Sequence, residues 1–386
     1  MNRHIILLFL LTMFLSCGNS AGEATLRFNG TESAFNASPL SKEEIVMANK
    51  LDELFTGLNS KGSFNGCVLV SKAGKILYKR SLGFLNKSTK NLLTDSSMFQ
   101  LASVSKVITA TAVLLLYERG LLDIEAPFKN YFPDFPYNDV RIRDLLSHRS
   151  GLPNYMYTLN NQMCQPDSNM NNLTMYNCFV SKNAPPYLKP DRRFNYCNTN
   201  YAMLALLIEK VSGLSYSRFL KEELFRPLGM NNTATIRDID LEGSNTTKPY
   251  DNRWRPINFE ASDFVLGDKS IYSTTHDLFL FSEALYQNRI IRPATQQMAY
   301  TAFSKEIKLS NYGYGWRMKN FKDPDKKDVY HNGWWHGYRS SFHRRLKDTL
   351  TVVILSNQLN SSTYQVQKVY DILDSNVSTG EVDDEE

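Results

Sequence analysis

Long hydrophobic runs are scarce in this chain, and the one at its start, Ile5 to Leu15, is too short to cross a bilayer comfortably as a helix. Cysteine is scarce too: five in 386 residues, with no C-x-x-C pair, which excludes both a small disulfide scaffold and a zinc ribbon. The six histidines include no H-E-x-x-H and no other helical metal spacing, so neither a metal nor any other cofactor is expected. Blocks of basic charge are absent as well. The 44 Lys and Arg against 39 Asp and Glu leave a net +5 spread along the sequence, which argues against nucleic acid as a partner. What is present is ordinary globular usage, 42% hydrophobic and 22% charged, enough to bury a sizeable core. The length fits two or three domains, or one large fold carrying an insertion.

Arg3 and His4 ahead of the apolar run make residues 1–16 read as an export signal. Phe14-Leu15-Ser16-Cys17-Gly18 then resembles the lipobox of bacterial lipoproteins, which implies lipidation of Cys17, a membrane anchor and a place in the cell envelope. A plain secretory signal that happens to contain a cysteine is the alternative, and in both cases the protein leaves the cytoplasm. Residues 17–40, rich in Gly, Ser, Asn and Thr, read as a flexible tether. The folded part is expected over 41–376, followed by an acidic tail, 377–386.

Ser41 as N-cap with Glu44 three residues on predicts a capping box and an opening helix. Gly66 to Val70 and Lys75 to Tyr78 predict a hairpin turning at Ala73-Gly74. Arg339 to Arg344 and Leu350 to Ser356 predict a second, and Tyr364 to Leu373 an amphipathic closing helix. Between them, about 115–263 reads as a mostly helical insert. The predicted class is α+β: an antiparallel sheet built from both chain ends, flanked by helices, with the insert alongside and a groove between the two bodies as the default site. Cys164 and Cys178 are placed to close a short polar loop, whereas Cys67 reads as a buried thiol.

Ser103-Val104-Ser105-Lys106 opens a helical run that ends at Gly120, so Ser103 and Lys106 fall on one face of its first turn. A desolvated lysine there activates a serine hydroxyl, and helix amides stabilise developing negative charge. The same spacing also suits a helix-capping serine beside an exposed lysine.

Three further stretches, Phe99 to Ala102, Leu145 to Pro153 and His331 to Gly337, together with Phe225 to Met230, Tyr272 to Asp277 and Tyr312 to Trp316, resemble one family in the right order over roughly residues 45–372. That is the serine β-lactamase-like group: class C β-lactamases, low-molecular-weight penicillin-binding proteins, and related esterases and D-peptidases. The resemblance implies Ser103 as nucleophile, with Lys106 and Tyr196 as proton relay. Asn198 would orient Lys106 or the substrate amide, although Y-x-N occurs four times and Tyr196 is chosen for the apolar helix after it. His331, Asn332 and Gly333 stand where β-lactamases carry K-T-G, and the amides of Trp334 and Ser103 would form the oxyanion hole. A histidine in place of the lysine weakens any carboxylate clamp, and Arg339 is one candidate to supply it instead. Trp334 and Trp335 leave open whether a tryptophan walls the groove or packs into the core. The function implied is an envelope serine hydrolase acting on a small ester or a short peptide with D-residues, the alternatives being a class C-like β-lactamase or a penicillin-binding sensor that deacylates slowly.

Overall fold

Two apolar runs without polar alternation, Cys67 to Val70 and Val352 to Leu355, become neighbouring strands buried on both faces. The computed structural model describes residues 38–158, 170–304, 310–319, 322–323 and 327–375. The export signal, Cys17, all but the end of the tether, Cys164 and the acidic tail lie outside them.

The strands are β1 (Gly66–Lys72), β2 (Lys75–Leu82), β3 (Phe84–Asn86), β4 (Asn91–Leu92), β5 (Phe99–Gln100), β6 (Ala234–Thr235), β7 (Ile271–Ser273), β8 (Ser310–Tyr312), β9 (Arg317–Lys319), β10 (Asp328–Trp335), β11 (Tyr338–Arg345) and β12 (Leu350–Ser356). The main sheet has the order β2-β1-β12-β11-β10-β9-β8, antiparallel throughout, so the two chain ends meet where β1 pairs with β12. β1 and β2 turn through Ala73 and Gly74, both at positive φ (51° and 77°), as a two-residue hairpin that follows the sheet's twist requires. β5, β7 and β6 form a small second sheet, and β3 pairs with β4.

Side chains alternate across the main sheet. Val68, Val70, Val352 and Ile354 face the helices α1 (Lys42–Ser60) and α10 (Val366–Asp374), meeting Leu51, Phe55 and Val369. α1 opens on the reciprocal capping box of Ser41 and Glu44, with Ser41 N–H donating to Glu44 Oε2 at 2.7 Å and Glu44 N–H to Ser41 Oγ at 3.2 Å. Cys67, Leu69, Val353 and Leu355 face the other way, into a core completed by α2 (Ser105–Glu118), α3 (Ile142–Leu146), α4 (Tyr155–Thr158), α5 (Asn172–Lys182), α6 (Asn198–Ser212), α7 (Tyr216–Leu220), α8 (Thr275–Tyr286) and α9 (Pro293–Ala299).

α2 is buried along its whole length from Ser105 to Leu116, as suits a helix apolar on every side. It packs against α6. The predicted insert, 115–263, lies between β5 and β7 and holds α3 to α7, but it has no core of its own. One apolar cluster runs from Leu69 and Leu355 on the sheet through Val113 on α2 to Leu204 on α6. Cys67 and Cys197 are free and buried, and burial pushes the Cys67 thiol up to about 12. Cys178 is disulfide-bonded.

Candidate active site

Ser103 occupies the middle of a 3₁₀ turn, Ala102–Val104, that runs straight into α2. The turn places residues three apart on one face. Lys106, fully buried, donates from Nζ to Ser103 Oγ at 3.1 Å and to the carbonyl oxygen of Asp268 at 2.7 Å. Ala102, immediately before Ser103, has φ 48°, a left-handed conformation that costs an alanine free energy and that the surrounding fold has to enforce. The enforcing contact is β10. At Gly333 an added Cβ would lie 2.3 Å from the Leu101 carbonyl oxygen and 3.1 Å from Ala102 Cβ, so only glycine lets the strand lie against the turn of the serine.

Tyr196 and Asn198 arrive at the start of α6. The Tyr196 ring lies 5.0 Å from Lys106 Nζ and 4.2 Å from the ring of His148, and its hydroxyl forms no hydrogen bond with Ser103 or Lys106. Asn198 Oδ1 is buried without a hydrogen-bond partner among the described residues. His148 is buried at φ 57°, and its Nδ1 accepts from the Cys197 amide at 3.1 Å and lies 3.2 Å from Asn200 Nδ2. Its proton therefore resides on Nε2. Burial holds its imidazole well below the ordinary histidine range, with Lys106, His331 and Arg317 adding to the effect.

The strand after Tyr330 has a free edge. Among the described residues β9 pairs with β10 only from Asp328 to Tyr330, so residues 331–335 have no strand partner on that side, beside the Ser103 turn. Side chains alternate along it. His331, Gly333 and Trp335 face the site, while Asn332 and Trp334 point to the opposite face of the sheet.

Three expectations are corrected by this alternation and by burial. Asn332 Oδ1 accepts from Ser341 Oγ at 2.7 Å and lies 3.2 Å from His343 Nε2, so its side chain is structural and cannot reach a substrate beside Ser103. His331 does face the site but is 1% exposed with both ring nitrogens engaged: Nδ1 donates to the Asn332 carbonyl at 2.8 Å and Nε2 accepts from Tyr312 at 3.1 Å. Burial first, then Arg317 and Lys106, hold its imidazole well below the usual range, so it is a neutral packing and positioning group without a nitrogen to offer a ligand. Arg339, directly opposite Trp334 in the register, stacks on that exposed ring at 4.9 Å and so lies on the far face. The indole that does border the site is Trp335, whose Nε1 donates to Asp263.

Two groups that no motif announced stand close by. Arg317, at the end of the β9 pairing, lies over the rings of Tyr196 at 5.2 Å and Tyr312 at 5.7 Å and has no carboxylate partner among the described residues. Lys269 is buried next to Asp268, whose carbonyl holds Lys106. Their sequence signals were faint: Arg317 directly follows the Tyr312 to Trp316 stretch, and Asp268-Lys269 precedes Tyr272-Ser273. A cleft of about 680 Å³ between 136–141 and 183–191 includes none of these residues, so the site is identified by its chemistry and not by cavity size. No cluster of three or more metal-ligating side chains occurs among the described residues.

Residues 51–376 match the family model described as Beta-lactamase. The chain is 34% identical over 337 residues to penicillin-binding protein 4* of Bacillus subtilis, covering 82% of this chain and 73% of that protein. Among solved structures, an octameric penicillin-binding protein homologue from Pyrococcus abyssi superposes with a TM-score of 0.74 at 23% identity, over 84% of this chain and 77% of that one. The D-amino acid amidase of Ochrobactrum anthropi superposes with a TM-score of 0.70 at 20% identity, over 85% and 98%.

Proposed function

This chain belongs to the β-lactamase family of serine hydrolases, and from that premise we propose that it forms an acyl-enzyme on Ser103 and cleaves a small ester or the amide of a short peptide containing D-residues. The observation that carries the reading is the buried Lys106 Nζ, 3.1 Å from Ser103 Oγ and fixed from behind by the Asp268 carbonyl. In its amine form Lys106 takes the hydroxyl proton as Oγ attacks the carbonyl carbon, with Tyr196 beside it as relay to the leaving group. The amides of Ser103 and Trp334 receive the developing oxyanion, the second being available because the β10 edge is open. Collapse expels the amine or alcohol. A water then loses its proton by the same route and releases the acid.

Arg317, without a carboxylate partner among the described residues, supports a substrate with a carboxylate on the Tyr196 side of the scissile bond, the role for which neutral His331 is unsuited. A lipid on Cys17 would hold the enzyme at the envelope membrane. No helix among the described residues is itself long and apolar enough to cross one. A second reading, a penicillin-binding protein that deacylates slowly, draws support from the name of the Bacillus relative.

Intact-mass analysis of the soluble chain with a fluorophosphonate tests the reading. Ser103 Oγ forms a bond to phosphorus, fluoride leaves, and the proton passes to Lys106. The expected result is one adduct on wild type and none on Ser103→Ala, and an unmodified wild type overturns it. A penicillin adduct that persists for hours favours the slow-deacylation reading, one that turns over favours a class C-like β-lactamase, and one that never forms favours the esterase or peptidase.

A further inference from the structure

The peptide unit that anchors Lys106 is also the centre of a second buried charge network, which the proposed mechanism leaves unused. Asp268 is fully buried and Lys269 is 2% exposed. The Asp268 carboxylate accepts from Tyr155 at 3.1 Å and from Lys269 Nζ at 3.4 Å through the same oxygen, Oδ2, and its Oδ1 has no partner among the described residues. Lys269 Nζ in turn donates to Tyr155 and is boxed by aromatic faces, Trp335 at 4.9 Å and Tyr155 at 5.0 Å. A lysine, a tyrosine and an aspartate thus form a closed triad of no net charge, one residue wide, whose backbone carbonyl grips the lysine beside the nucleophile.

We infer that Lys269 is a positioning residue for the acylation step: it neutralises the Asp268 carboxylate, so that this buried anion neither rotates toward Lys106 nor favours its ammonium form. The inference rests on the hydrolase reading of Ser103. Its physical basis is that an unpaired buried carboxylate would seek the nearest cation, and Lys106 is attached to the same residue through a 2.7 Å hydrogen bond. Burial lowers the Lys269 ammonium below the ordinary lysine range, the Asp268 and Asp263 carboxylates oppose that shift, and Lys106 adds to it.

The other charged or titratable groups around the two lysines are few. Asp263 lies on the Lys269 side and is bonded to Trp335, with His336 3.5 Å away and, beyond it, Glu260. Around Lys106 are Tyr196, Tyr201 and Cys197 near the α6 start, His148 from the loop after α3, His331 from β10, and Arg317 of β9 over the same Tyr196 ring. Both histidines are held neutral, the Tyr201 hydroxyl is pushed up by burial and the Cys197 thiol is raised to about 11. Asp268, whose backbone carbonyl accepts from Lys106 and whose carboxylate is paired with Lys269, is therefore the anion that a Lys269 substitution unmasks.

The test is the rate of fluorophosphonate labelling of Ser103 between pH 5 and 10, read by intact mass. Lys269→Met is expected to move the midpoint of the rate profile up by about one pH unit, so that labelling is about tenfold slower at pH 7 and equal to wild type at high pH. Lys269→Arg should keep the wild-type profile. Asp268→Asn, which leaves the lysine and removes the anion, should shift the midpoint the other way, and it carries the test by itself if Lys269→Met fails to fold. A structural role alone would slow labelling equally at every pH, and either that result or superimposable profiles overturns the inference. A wild type that takes no label at any pH removes the hydrolase reading and this role with it. A labelled wild type with unshifted variants removes the role alone.

Discussion

Gly333 shows how little chemistry separates this site from a collapsed one. Alanine there would bring its Cβ to 2.1 Å from Ser340 Oγ and 2.3 Å from the Leu101 carbonyl, and neither neighbour is free to retreat, because Ser340 Oγ already donates to that carbonyl at 2.5 Å. The strand must shift away from the Ser103 turn. Gly333→Ala is expected to cut the labelling rate of Ser103 by roughly a hundredfold, the scale of an ångström-sized misplacement, while the melting temperature falls by only a few degrees. Paired labelling and melting measurements check both halves. At this scale the serine and its lysine were legible, because their relation is local and the 3₁₀ turn preserves it. Asn332 was not, since a motif read as three consecutive residues ignores the alternation that sends the middle side chain through the sheet. Arg317 and Lys269 belong to no motif, and only long-range packing brings them to Tyr196 and to Lys106.

Helix α8 carries a carboxyl where the fold offers it little. Glu283 is 3% exposed, faces the β1–β2 turn at Gly74 and leaves Oε1 without a partner among the described residues. Burial pushes its carboxyl up to about 7, against the opposing pull of the Arg344 guanidinium. Since the folded value lies above the unfolded one, the stabilising protonated form is present at low pH, and that contribution is lost as pH rises through 7. Glu283→Gln should thus raise stability by roughly 2 kcal/mol at pH 8 and by almost nothing at pH 4, measured by denaturant melts at the two pH values. Elements such as α1 and the β1–β2 hairpin were legible from a capping box and a turn dipeptide. The open edge of β10 was not, because it depends on where the short partner β9 stops.

The molecule as a whole buries two neutral histidines, His148 and His331, both held well below the ordinary range mainly by burial. Once the chain unfolds they are free to take up protons, so the unfolded state gains as pH falls below about 6.5 and the folded state loses stability there. Between pH 6 and pH 5 the expected loss is about 1.4 kcal/mol per pH unit for each histidine, and a melting series with His148→Gln and His331→Gln, each of which should flatten the slope, checks it. The sheet built from both ends was legible at this scale, because uninterrupted apolar runs sit near each terminus. The core that the insert shares with one face of the sheet was not, since no local pattern says that α2 and α6 pack there. Ser356 Oγ donates to the carbonyl of Asn65, 291 residues earlier. A ribosome adding ~5–20 residues each second makes β1 wait tens of seconds for β12. During that interval the central sheet cannot close, and the nascent chain stays threadable through a translocation pore until almost its last strand has been made.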